Sequence, residues 1–337
     1  MVLFDKMTKR LKDPIRAGGE GIKTWDVAII GSGPAGLTAA IYATRGAAST
    51  IVLAGEAWGG QLMLTTIVDN YPALPGISGP ELMQKMRDHA LKFGAELVAE
   101  NLTAVDFSKL PFKLTTNKQK LTSKSVIIAT GAQTLWLGVP GEDKLRGRGV
   151  SSCAPCDAPF FKGKKVAVIG GGDSAMEEAL VLTKYANSVT VIHRRSEFRA
   201  SAIMQKKVFE EKKIKVVWDS IVEEFLGEDK LQRIRIRNIK EGESKEIEFD
   251  GVFITIGYTP STEIFEGQVE LDEKGYIVRN SKLRSEISKL GEYRMSTTVP
   301  GVFVAGDVHD YHYRQAITAA GFGCMAAMDA LRYLEGP

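Results

Sequence analysis

The stretch Asp26-Val27-Ala28-Ile29-Ile30-Gly31-Ser32-Gly33-Pro34-Ala35-Gly36 decides the fold. Its first five residues are mostly apolar and predict a buried strand, and the apolar spacing after the glycines predicts a helix. A G-x-G-x-x-G turn between a strand and a helix is typical of dinucleotide-binding units. In such a turn Gly31 permits the tight bend, Gly33 lets a pyrophosphate approach the backbone, and Gly36 lets helix and strand pack closely.

A second turn of this kind lies near the middle of the chain. The apolar run Lys165–Ile169 leads into Gly170-Gly171-Gly172-Asp173-Ser174-Ala175, a G-x-G-x-x-A pattern that again precedes a helix. The next strand, Ser188–Ile192, ends in His193-Arg194-Arg195, with Arg199 one helical turn beyond. Cations at the place where an NAD site carries an acid indicate a 2′-phosphate, so the second unit is predicted to bind NADPH. The alternative is a solvated basic patch.

Between the two turns lies Ser151-Ser152-Cys153-Ala154-Pro155-Cys156-Asp157. A CxxC in a chain with only three cysteines is typical of a redox-active or metal-binding site rather than a disulfide scaffold. Zinc usually takes two more Cys or His ligands nearby. Because Cys324 is distant and the four histidines form no second ligand pair, we expect no metal and favour redox chemistry.

Length and composition limit the class of protein. With 337 residues, 44% apolar and 25% charged, the chain fits a globular protein of two domains. A net charge of +3 gives no argument for nucleic acid, and no apolar run reaches the ~18 residues of a membrane helix. We therefore expect a cytoplasmic protein with neither nucleic acid nor membrane as a partner. Residues 1–24 are basic but contain acids and no Ser, which favours a flexible arm over a transit peptide.

The chain is predicted to cross between domains first at Leu137–Gly149, which is rich in glycine and contains Pro140, and again at Gly251–Pro260, which repeats an earlier strand-then-glycine pattern. Ser125–Ala129 ends in Thr130-Gly131, and the run Gly251–Ile256 ends in Gly257. The second unit is thus predicted to be inserted in the first. The predicted parts are a flexible arm at 1–24, the first domain at 25–134 and 262–337, and the inserted domain at 135–261. Strands at Lys215–Trp218, Leu231–Asn238 and Ser244–Phe249 are predicted to form a small sheet that caps the inserted domain.

These motifs, in this order, resemble the low-molecular-weight thioredoxin reductases, and the resemblance covers Trp25 to Leu334. It implies an α/β fold of two Rossmann-like, FAD- and NAD(P)-binding three-layer domains, in a homodimer that serves cell redox homeostasis. The residues that the resemblance implies for FAD binding include the first glycine turn. They are Gly31, Ser32, Gly33, Pro34, Ala35, Gly36, Gly60, Gln61, Leu62, Asn70, Thr130, Gly131, Gly306, Asp307, Arg314, Gln315 and Ala316. The implied NADPH contacts are Gly170, Gly172, Asp173, Ser174, His193, Arg194, Arg195 and Arg199.

The resemblance also implies a reaction. Electrons pass from NADPH through FAD to a Cys153–Cys156 disulfide and then to thioredoxin or a glutaredoxin-like protein disulfide. Asp157 is the candidate acid–base group, with a helix N-cap as its alternative role. Family precedent makes Cys156 the flavin-proximal cysteine. Because nicotinamide and disulfide cannot face the flavin together, the family rotates one domain, with predicted hinges at Thr130–Gly141 and Ile256–Pro260.

Several details depart from the family or stay open. Ala158 stands where the family usually has glycine, so a backbone with positive φ there would be strained. Arg148, Phe160 and Phe161 are candidates for partner docking, and Cys324 is expected to be buried and inert. Three other functions remain: an NADPH oxidase that forms hydrogen peroxide, a ferredoxin- or flavin-driven reductase, and a non-catalytic flavoprotein redox sensor. His193-Arg194-Arg195 argues against the second of these.

Overall fold

The structure is a computed structural model that describes residues 23–65, 67–279 and 293–336. The predicted arm therefore lies almost wholly outside the described residues. The strands are β1 Thr24–Ile30, β2 Thr50–Leu53, β3 Glu96–Val98, β4 Leu102–Asp106, β5 Phe112–Thr116, β6 Lys120–Ile128, β7 Ala132–Thr134, β8 Val150–Ser151, β9 Lys165–Ile169, β10 Ser188–Ile192, β11 Ile214–Val217, β12 Ser220–Leu226, β13 Arg233–Asn238, β14 Ser244–Glu248, β15 Gly251–Ile254, β16 Tyr258–Pro260 and β17 Val302–Val304. The α-helices are α1 Pro34–Arg45, α2 Gly79–Lys92, α3 Glu142–Leu145, α4 Ala154–Asp157, α5 Asp173–Thr183, α6 Ala202–Glu210 and α7 Ala316–Glu335.

One body of the protein, here called the outer lobe, consists of β1–β6, β17, α1, α2 and α7. Its sheet runs β3-β2-β1-β6-β5-β4, and β17 pairs with the second half of β6. The strands β3, β2, β1, β6 and β17 are parallel, whereas β4 and β5 form an antiparallel extension. Helix α7 lies against α1, and Gly323 allows the closest approach because a Cβ there would lie 2.1 Å from the carbonyl oxygen of Ala35.

The outer sheet has a core on each face because side chains alternate along a strand. Val27 and Ile29 of β1 pack with the helices, together with Leu37 of α1. Ala28 and Ile30 point to the other face and pack with aromatic residues of the β4–β5 side. The result is three layers, in which the sheet lies between helices and an antiparallel extension.

The second body, here called the inner lobe, repeats this plan with β8–β15 and α3–α6. Its parallel sheet runs β11-β10-β9-β15-β8, and an antiparallel sheet β12-β13-β14 covers one face. Val166 and Val168 face the helices, whereas Ala167 and Ile169 face the small sheet. The predicted fold class, two three-layer α/β units with the second inserted in the first, is confirmed.

The sequence-based assignment of Lys215–Trp218 to the capping sheet is wrong. That segment forms β11, which pairs in parallel with β10 at the edge of the inner sheet. The reason is connectivity: α6 crosses back over the sheet and delivers the chain to a parallel position beside β10. The small sheet consists of the next three strands instead.

The two crossings between the lobes are paired with each other. Strands β7 and β16 form a two-stranded antiparallel ribbon in which Tyr258 lies opposite Thr134. Thr130 extends the contact, since its Oγ1 donates a hydrogen bond of 2.8 Å to the carbonyl oxygen of Ser261. The lobes are therefore joined by one hydrogen-bonded ribbon and not by two independent linkers.

Candidate active site

A cavity of about 1000 Å³ opens at the carboxyl ends of the outer strands, where open α/β sheets bind their ligands. Fifteen of the residues predicted to bind FAD line it, which leaves out only Gly36 and Asn70. The lining residues from that prediction are Gly31, Ser32, Gly33, Pro34, Ala35, Gly60, Gln61, Leu62, Thr130, Gly131, Gly306, Asp307, Arg314, Gln315 and Ala316.

The glycine turn at the floor of this cavity fits a pyrophosphate. Gly31 has φ +112°, and a Cβ there would lie 2.2 Å from the carbonyl oxygen of Ala129. A Cβ on Gly33 would meet no protein atom within 4 Å, so its open side faces the cavity. Helix α1 starts at Pro34 with no side-chain cap, which leaves its first amides and its positive dipole end for an anion.

Three of the residues predicted to contact FAD have side chains or backbone in contact with other protein groups. Ser32 Oγ donates a hydrogen bond of 2.9 Å to the carbonyl oxygen of Ala54 and accepts one of 2.9 Å from the amide of Gly59, so its hydroxyl fixes the turn. Gly36 lies under the turn, where a Cβ would come within 2.0 Å of the carbonyl oxygen of Gly31. Asn70 Nδ2 donates 3.0 Å to Gln315 Oε1. Only backbone atoms of Ser32 remain for a ligand.

Asp307 is a carboxyl at the rim of the same cavity. Its pKa is raised to about 7, mainly by burial and also by the neighbouring Asp310, while the positive charge of Arg314 opposes both. A group with this pKa holds or releases a proton near neutral pH. Asp307 comes three residues after the end of β17, which explains its place at the carboxyl end of the sheet.

A second cavity of about 800 Å³ lies between the lobes. It contains Cys153, Cys156 and Asp157 on the inner side. It shares a wall with the first cavity, and the residues that line both are Gln61, Leu62, Leu64, Ala132, Asp307, Arg314, Gln315 and Ala316. The cysteines therefore face the outer lobe's cavity, and we call this the disulfide-facing arrangement.

The cysteines form the predicted disulfide, with their Cα atoms 5.4 Å apart. Cys153 is the N-cap of the short helix α4. Its amide donates a hydrogen bond of 3.1 Å to Ser151 Oγ, and that hydroxyl donates one of 2.6 Å to Asp157 Oδ2. One serine thus connects the backbone of the first cysteine to the carboxyl beside the second.

Asp157 does not cap a helix, which removes the alternative role. It ends α4 and precedes the 3₁₀ turn Ala158–Phe161, to which its side chain makes no capping bond. Burial raises the pKa of Asp157, and the bond from Ser151 lowers it by less. A carboxyl that retains its proton more readily than usual, in the residue directly after Cys156, suits proton exchange with a thiol.

Glu178 is a second carboxyl at this site, which the sequence analysis missed. Its Oε2 accepts a hydrogen bond of 3.2 Å from the amide of Ala154, the first residue of α4. Burial raises its pKa to about 8, so the group is largely neutral at pH 7. The adjacent acids Glu177-Glu178 in a helix beside the second glycine turn were the available signal.

The second glycine turn lies beside the disulfide. Gly172 caps α5, and Ser174 and Val181 of that helix line the same cavity as the cysteines. Asp173 Oδ1 accepts hydrogen bonds from the amide and hydroxyl of Ser201, at 2.9 and 2.7 Å, and so fixes the start of α6. The turn and the disulfide thus belong to the same lobe and open on one cavity.

The basic cluster at the end of β10 divides into two kinds of residue. His193 is buried beneath Gly171, where a Cβ would lie 2.2 Å from its Cε1. Burial lowers the pKa of His193, and the charges of Arg195, Arg199 and Arg194 lower it further. The three arginines are exposed and lie where a phosphate could reach them. The histidine therefore supports the turn, and the cationic surface belongs to the arginines.

Three smaller expectations can now be judged. Phe161 is not available for docking, because it is buried and packs edge-on against Phe253 at 5.3 Å, whereas Phe160 and Arg148 are exposed. Cys324 is only half-buried, so the expectation that it is buried is wrong. Ala158 has φ −52°, so alanine is unstrained there and no glycine is needed.

Within residues 23–65, 67–279 and 293–336, no group of three or more His, Cys, Asp or Glu residues could hold a metal ion. No helix in the same part of the chain is both long and apolar enough to cross a bilayer.

Comparison with known proteins bears on this site directly. The pyridine nucleotide-disulphide oxidoreductase family matches residues 25–323. Thioredoxin reductase from Streptomyces coelicolor is 49% identical over 312 residues, which covers 92% of this chain and 94% of the relative. These matches span both nucleotide turns and the cysteine pair.

Solved structures agree with the sequence matches. The crystal structure of thioredoxin reductase from Streptococcus pyogenes is 40% identical, with a TM-score of 0.87, and covers 94% of this chain and 100% of that one. Lactococcus lactis thioredoxin reductase in the FR conformation is also 40% identical, over 93% of this chain and 100% of that one, but has a TM-score of 0.61.

Proposed function

Because the chain belongs to the thioredoxin reductases of the pyridine nucleotide-disulphide oxidoreductase family, we propose that its two cavities and its cysteine pair act in one sequence of electron transfers. The protein is an NADPH-dependent thioredoxin-disulfide reductase with FAD as its flavin. The observation that carries the assignment is the position of the Cys153–Cys156 disulfide, on a cavity that adjoins the one lined by the first glycine turn.

The residues present fit both cofactors. Gly31–Ala35 would hold the pyrophosphate of FAD, and Asp307 and Gln315 lie at the wall nearest the disulfide. Gly172–Ser174 would hold the pyrophosphate of NADPH, and Arg194, Arg195 and Arg199 its 2′-phosphate. When bound, FAD supplies the two-electron relay between nicotinamide and disulfide.

The chain's own groups carry out thiol–disulfide exchange. After reduction, one cysteine thiolate attacks a sulfur of the partner's disulfide, and the partner's other sulfur leaves as a thiolate. The second cysteine of the pair then attacks the mixed disulfide, which restores Cys153–Cys156 and releases the reduced partner. Asp157 takes the proton from one thiol and returns it to the departing sulfur, a role that its raised pKa supports.

The domains and their rotation form part of this proposal. We take residues 25–134 and 262–337 as the FAD domain and 135–261 as the NADPH domain. Ser174 of the second glycine turn and the cysteines lie on the same lobe. That lobe must therefore rotate so that the nicotinamide and the disulfide can reach the flavin one after the other. The relative in the FR conformation has the same sequence identity to this chain as the Streptococcus pyogenes enzyme but a lower TM-score. This difference supports two arrangements of similar domains.

The partner and setting follow from this chemistry. Thioredoxin is the proposed substrate, a glutaredoxin-like protein disulfide is a second candidate, and the exposed Phe160 and Arg148 offer a docking rim. A dithiol that works as a reductant requires a thiol-reducing compartment, so the cytoplasm is the proposed location. A homodimer is proposed from the family resemblance.

The test is anaerobic reduction of the FAD-loaded protein by NADPH and by NADH, followed by addition of thioredoxin or a glutaredoxin-like protein. We expect bleaching with NADPH, electron transfer to thioredoxin, and loss of that transfer alone in Cys153→Ser. Transfer that survives the substitution would refute the mechanism. Rapid NADPH use in air without any disulfide partner would indicate the oxidase, and failure to turn over thioredoxin would indicate the redox sensor.

The nucleotide preference is tested at the basic cluster. In Arg194→Ala, Arg195→Ala and Arg199→Ala, we expect the KM for NADPH to rise about tenfold or more where a charge-assisted hydrogen bond to phosphate is lost, because each is worth ~1.5–3 kcal/mol. The KM for NADH should be unchanged. Arg148→Ala, an exposed arginine outside the cluster, is the matched control. Equal losses with both nucleotides would contradict a 2′-phosphate site.

A further inference from the structure

Tyr258 connects the two lobes to the disulfide turn. It opens β16 in the ribbon between the lobes, opposite Thr134. Its hydroxyl donates a hydrogen bond of 2.9 Å to the carbonyl oxygen of Ser152, the residue before the first cysteine. Its ring lies under the guanidinium of Arg314, with the Cζ atom 3.9 Å from the ring centroid. One side chain therefore touches the inner lobe's redox turn and the outer lobe's cavity wall.

The contact with Ser152 completes the support of the redox turn. Ser151 holds the amide of Cys153, and Glu178 holds the amide of Ala154, so the inner lobe itself fixes the two amides. The carbonyl of Ser152, in the same peptide unit as the amide of Cys153, is held by the ribbon. Because successive backbone groups of the turn are bonded to different elements, the turn's orientation depends on where the ribbon lies.

Arg314 is well fixed for its contact with the ring. Its φ of +47° lies in the left-handed region, which a non-glycine residue adopts only where the surroundings enforce it. Burial raises the pKa of Tyr258, of Glu178 in the inner lobe and of Asp307 in the outer lobe, and the positive charge of Arg314 lies close enough to oppose that rise in all three. The guanidinium is thus directed across the boundary between the lobes in the disulfide-facing arrangement.

We propose that Tyr258 is a positioning residue that holds the disulfide-facing arrangement, through its ring on Arg314 and its hydroxyl on Ser152. The proposal rests on the domain rotation of the proposed function. Whichever lobe Tyr258 follows in that rotation, one of its two contacts must break, because they lie on different lobes. The contacts therefore favour one arrangement and oppose the other.

The expected consequence is a shift in the balance between the arrangements. Removal of a partly buried hydrogen bond and a cation–π contact should shift that balance by about tenfold toward the nicotinamide-facing arrangement. Tyr258→Leu removes both contacts and Tyr258→Phe removes only the hydroxyl, so the second shift should be smaller. Tyr276→Phe is the control, because Tyr276 is buried in the outer lobe against Tyr311, at 5.3 Å between ring centroids.

The first readout is chemical and does not use turnover. The FAD-loaded proteins are reduced with dithiothreitol and treated with iodoacetamide, and alkylation of each cysteine is followed by peptide mass spectrometry. In the disulfide-facing arrangement the dithiol points into the cavity between the lobes. We expect Tyr258→Leu to raise the alkylation rate at Cys153 and Cys156 several-fold, with Cys324 unchanged as the internal reference.

The second readout separates an orientation effect from general damage. In anaerobic stopped-flow mixing with NADPH, Tyr258→Leu should speed the bleaching of the flavin absorbance and slow the later electron transfer to the disulfide. A merely structural defect would not change the two rates in opposite directions. If wild-type protein reduces thioredoxin but Tyr258→Leu matches it in both readouts, the positioning role is overturned. If wild-type protein fails to reduce thioredoxin, the proposed function itself fails, and the positioning role with it.

Discussion

At the scale of single residues, two partly buried carboxyls lie at the four-residue helix α4 that carries the second cysteine. Asp157 is tied by Ser151 to the amide of Cys153, and Glu178 holds the next amide. Burial raises the pKa of both carboxyls. They differ in their partners: Asp157 is bonded to a hydroxyl and belongs to the turn itself, whereas Glu178 holds a backbone amide from the neighbouring helix. We therefore assign the proton transfer to Asp157 and a supporting role to Glu178.

Asp157→Asn should slow thioredoxin reduction about a hundredfold or more, the usual effect of losing a general acid–base group. Bleaching of the flavin by NADPH should remain close to wild type, since the substituted group acts only on thiols. Rapid kinetics with thioredoxin in excess measures both rates. An Asn variant that reduces thioredoxin at the wild-type rate would exclude Asp157 as the acid–base group.

Glu178→Gln should change how stability depends on pH. The pKa of Glu178 rises from its model-peptide value of 4.5 to about 8 in the folded protein. The unfolded chain therefore loses this proton first, so the group's burial increasingly opposes folding as pH rises from 4.5 to about 8. The glutamine variant should thus gain stability relative to wild type across this range, as measured by urea unfolding at several pH values. Glu177→Gln, at the exposed neighbouring residue, should not gain stability in this way. A stability difference for Glu178→Gln that does not depend on pH would contradict the raised pKa of Glu178.

The residue-scale site was only partly predictable from the sequence. The cysteine pair, Asp157 and the two glycine turns could be identified because their chemistry depends on short, local spacing. The role of Ser32 as an internal brace, the burial of Phe161 and the involvement of Glu178 could not. Each depends on a partner that is close only after folding, such as Gly59, Phe253 or Ala154.

At the scale of elements, each nucleotide turn combines glycines that serve folding with glycines that serve the ligand. Gly31 has a positive φ and backbone oxygen at its missing Cβ, whereas Gly33 has φ −70° and open space there. An alanine can adopt the second conformation without strain. The two positions therefore separate the fold of the turn from its binding function.

Gly31→Ala should destabilise the flavin-free protein by at least about 2 kcal/mol, because the backbone is left-handed and the added methyl group meets a carbonyl oxygen. Gly33→Ala should leave that stability within about 0.5 kcal/mol, yet weaken FAD binding by filling the place of the pyrophosphate. Urea unfolding of the stripped proteins and titration with FAD measure the two effects. Equal FAD affinity in Gly33→Ala and wild type would show that the pyrophosphate lies elsewhere.

The elements themselves were well predicted where apolar runs were long enough. The strands at Lys165–Ile169 and Ser188–Ile192 occur as expected. The run at Lys215–Trp218 was assigned to the wrong sheet, because a strand of four residues has the same pattern whether it pairs in parallel or antiparallel. Its pairing is decided by the helix before it, which the local pattern does not contain.

At the scale of the whole molecule, each lobe has its own apolar clusters, one on each face of its sheet. No cluster of the described residues combines β1 of the outer lobe with β9 of the inner lobe. A turn of one lobe against the other therefore leaves both interiors intact. The insertion was predictable from the repeated strand-then-glycine pattern, whereas the arrangement was not, because it depends on contacts such as that of Arg314 with Tyr258.

Separate interiors predict separate responses to the two cofactors. In calorimetry of the flavin-stripped protein we expect two overlapping transitions, with FAD raising the temperature of one and NADP⁺ that of the other. Each ligand at a hundred times its Kd should add about 2.7 kcal/mol to the lobe that binds it. A single transition that both ligands shift equally would mean that the lobes unfold as one unit.

The pairing of β7 with β16 also limits how the two linkers can vary among related chains. One extra residue in β16 alone would put Tyr258 on the opposite side of the ribbon, since side chains alternate along a strand. Insertions or deletions there should accordingly be tolerated as matched pairs, one in each linker, or in steps of two. A library of linker lengths selected for growth should recover such combinations and few unmatched ones.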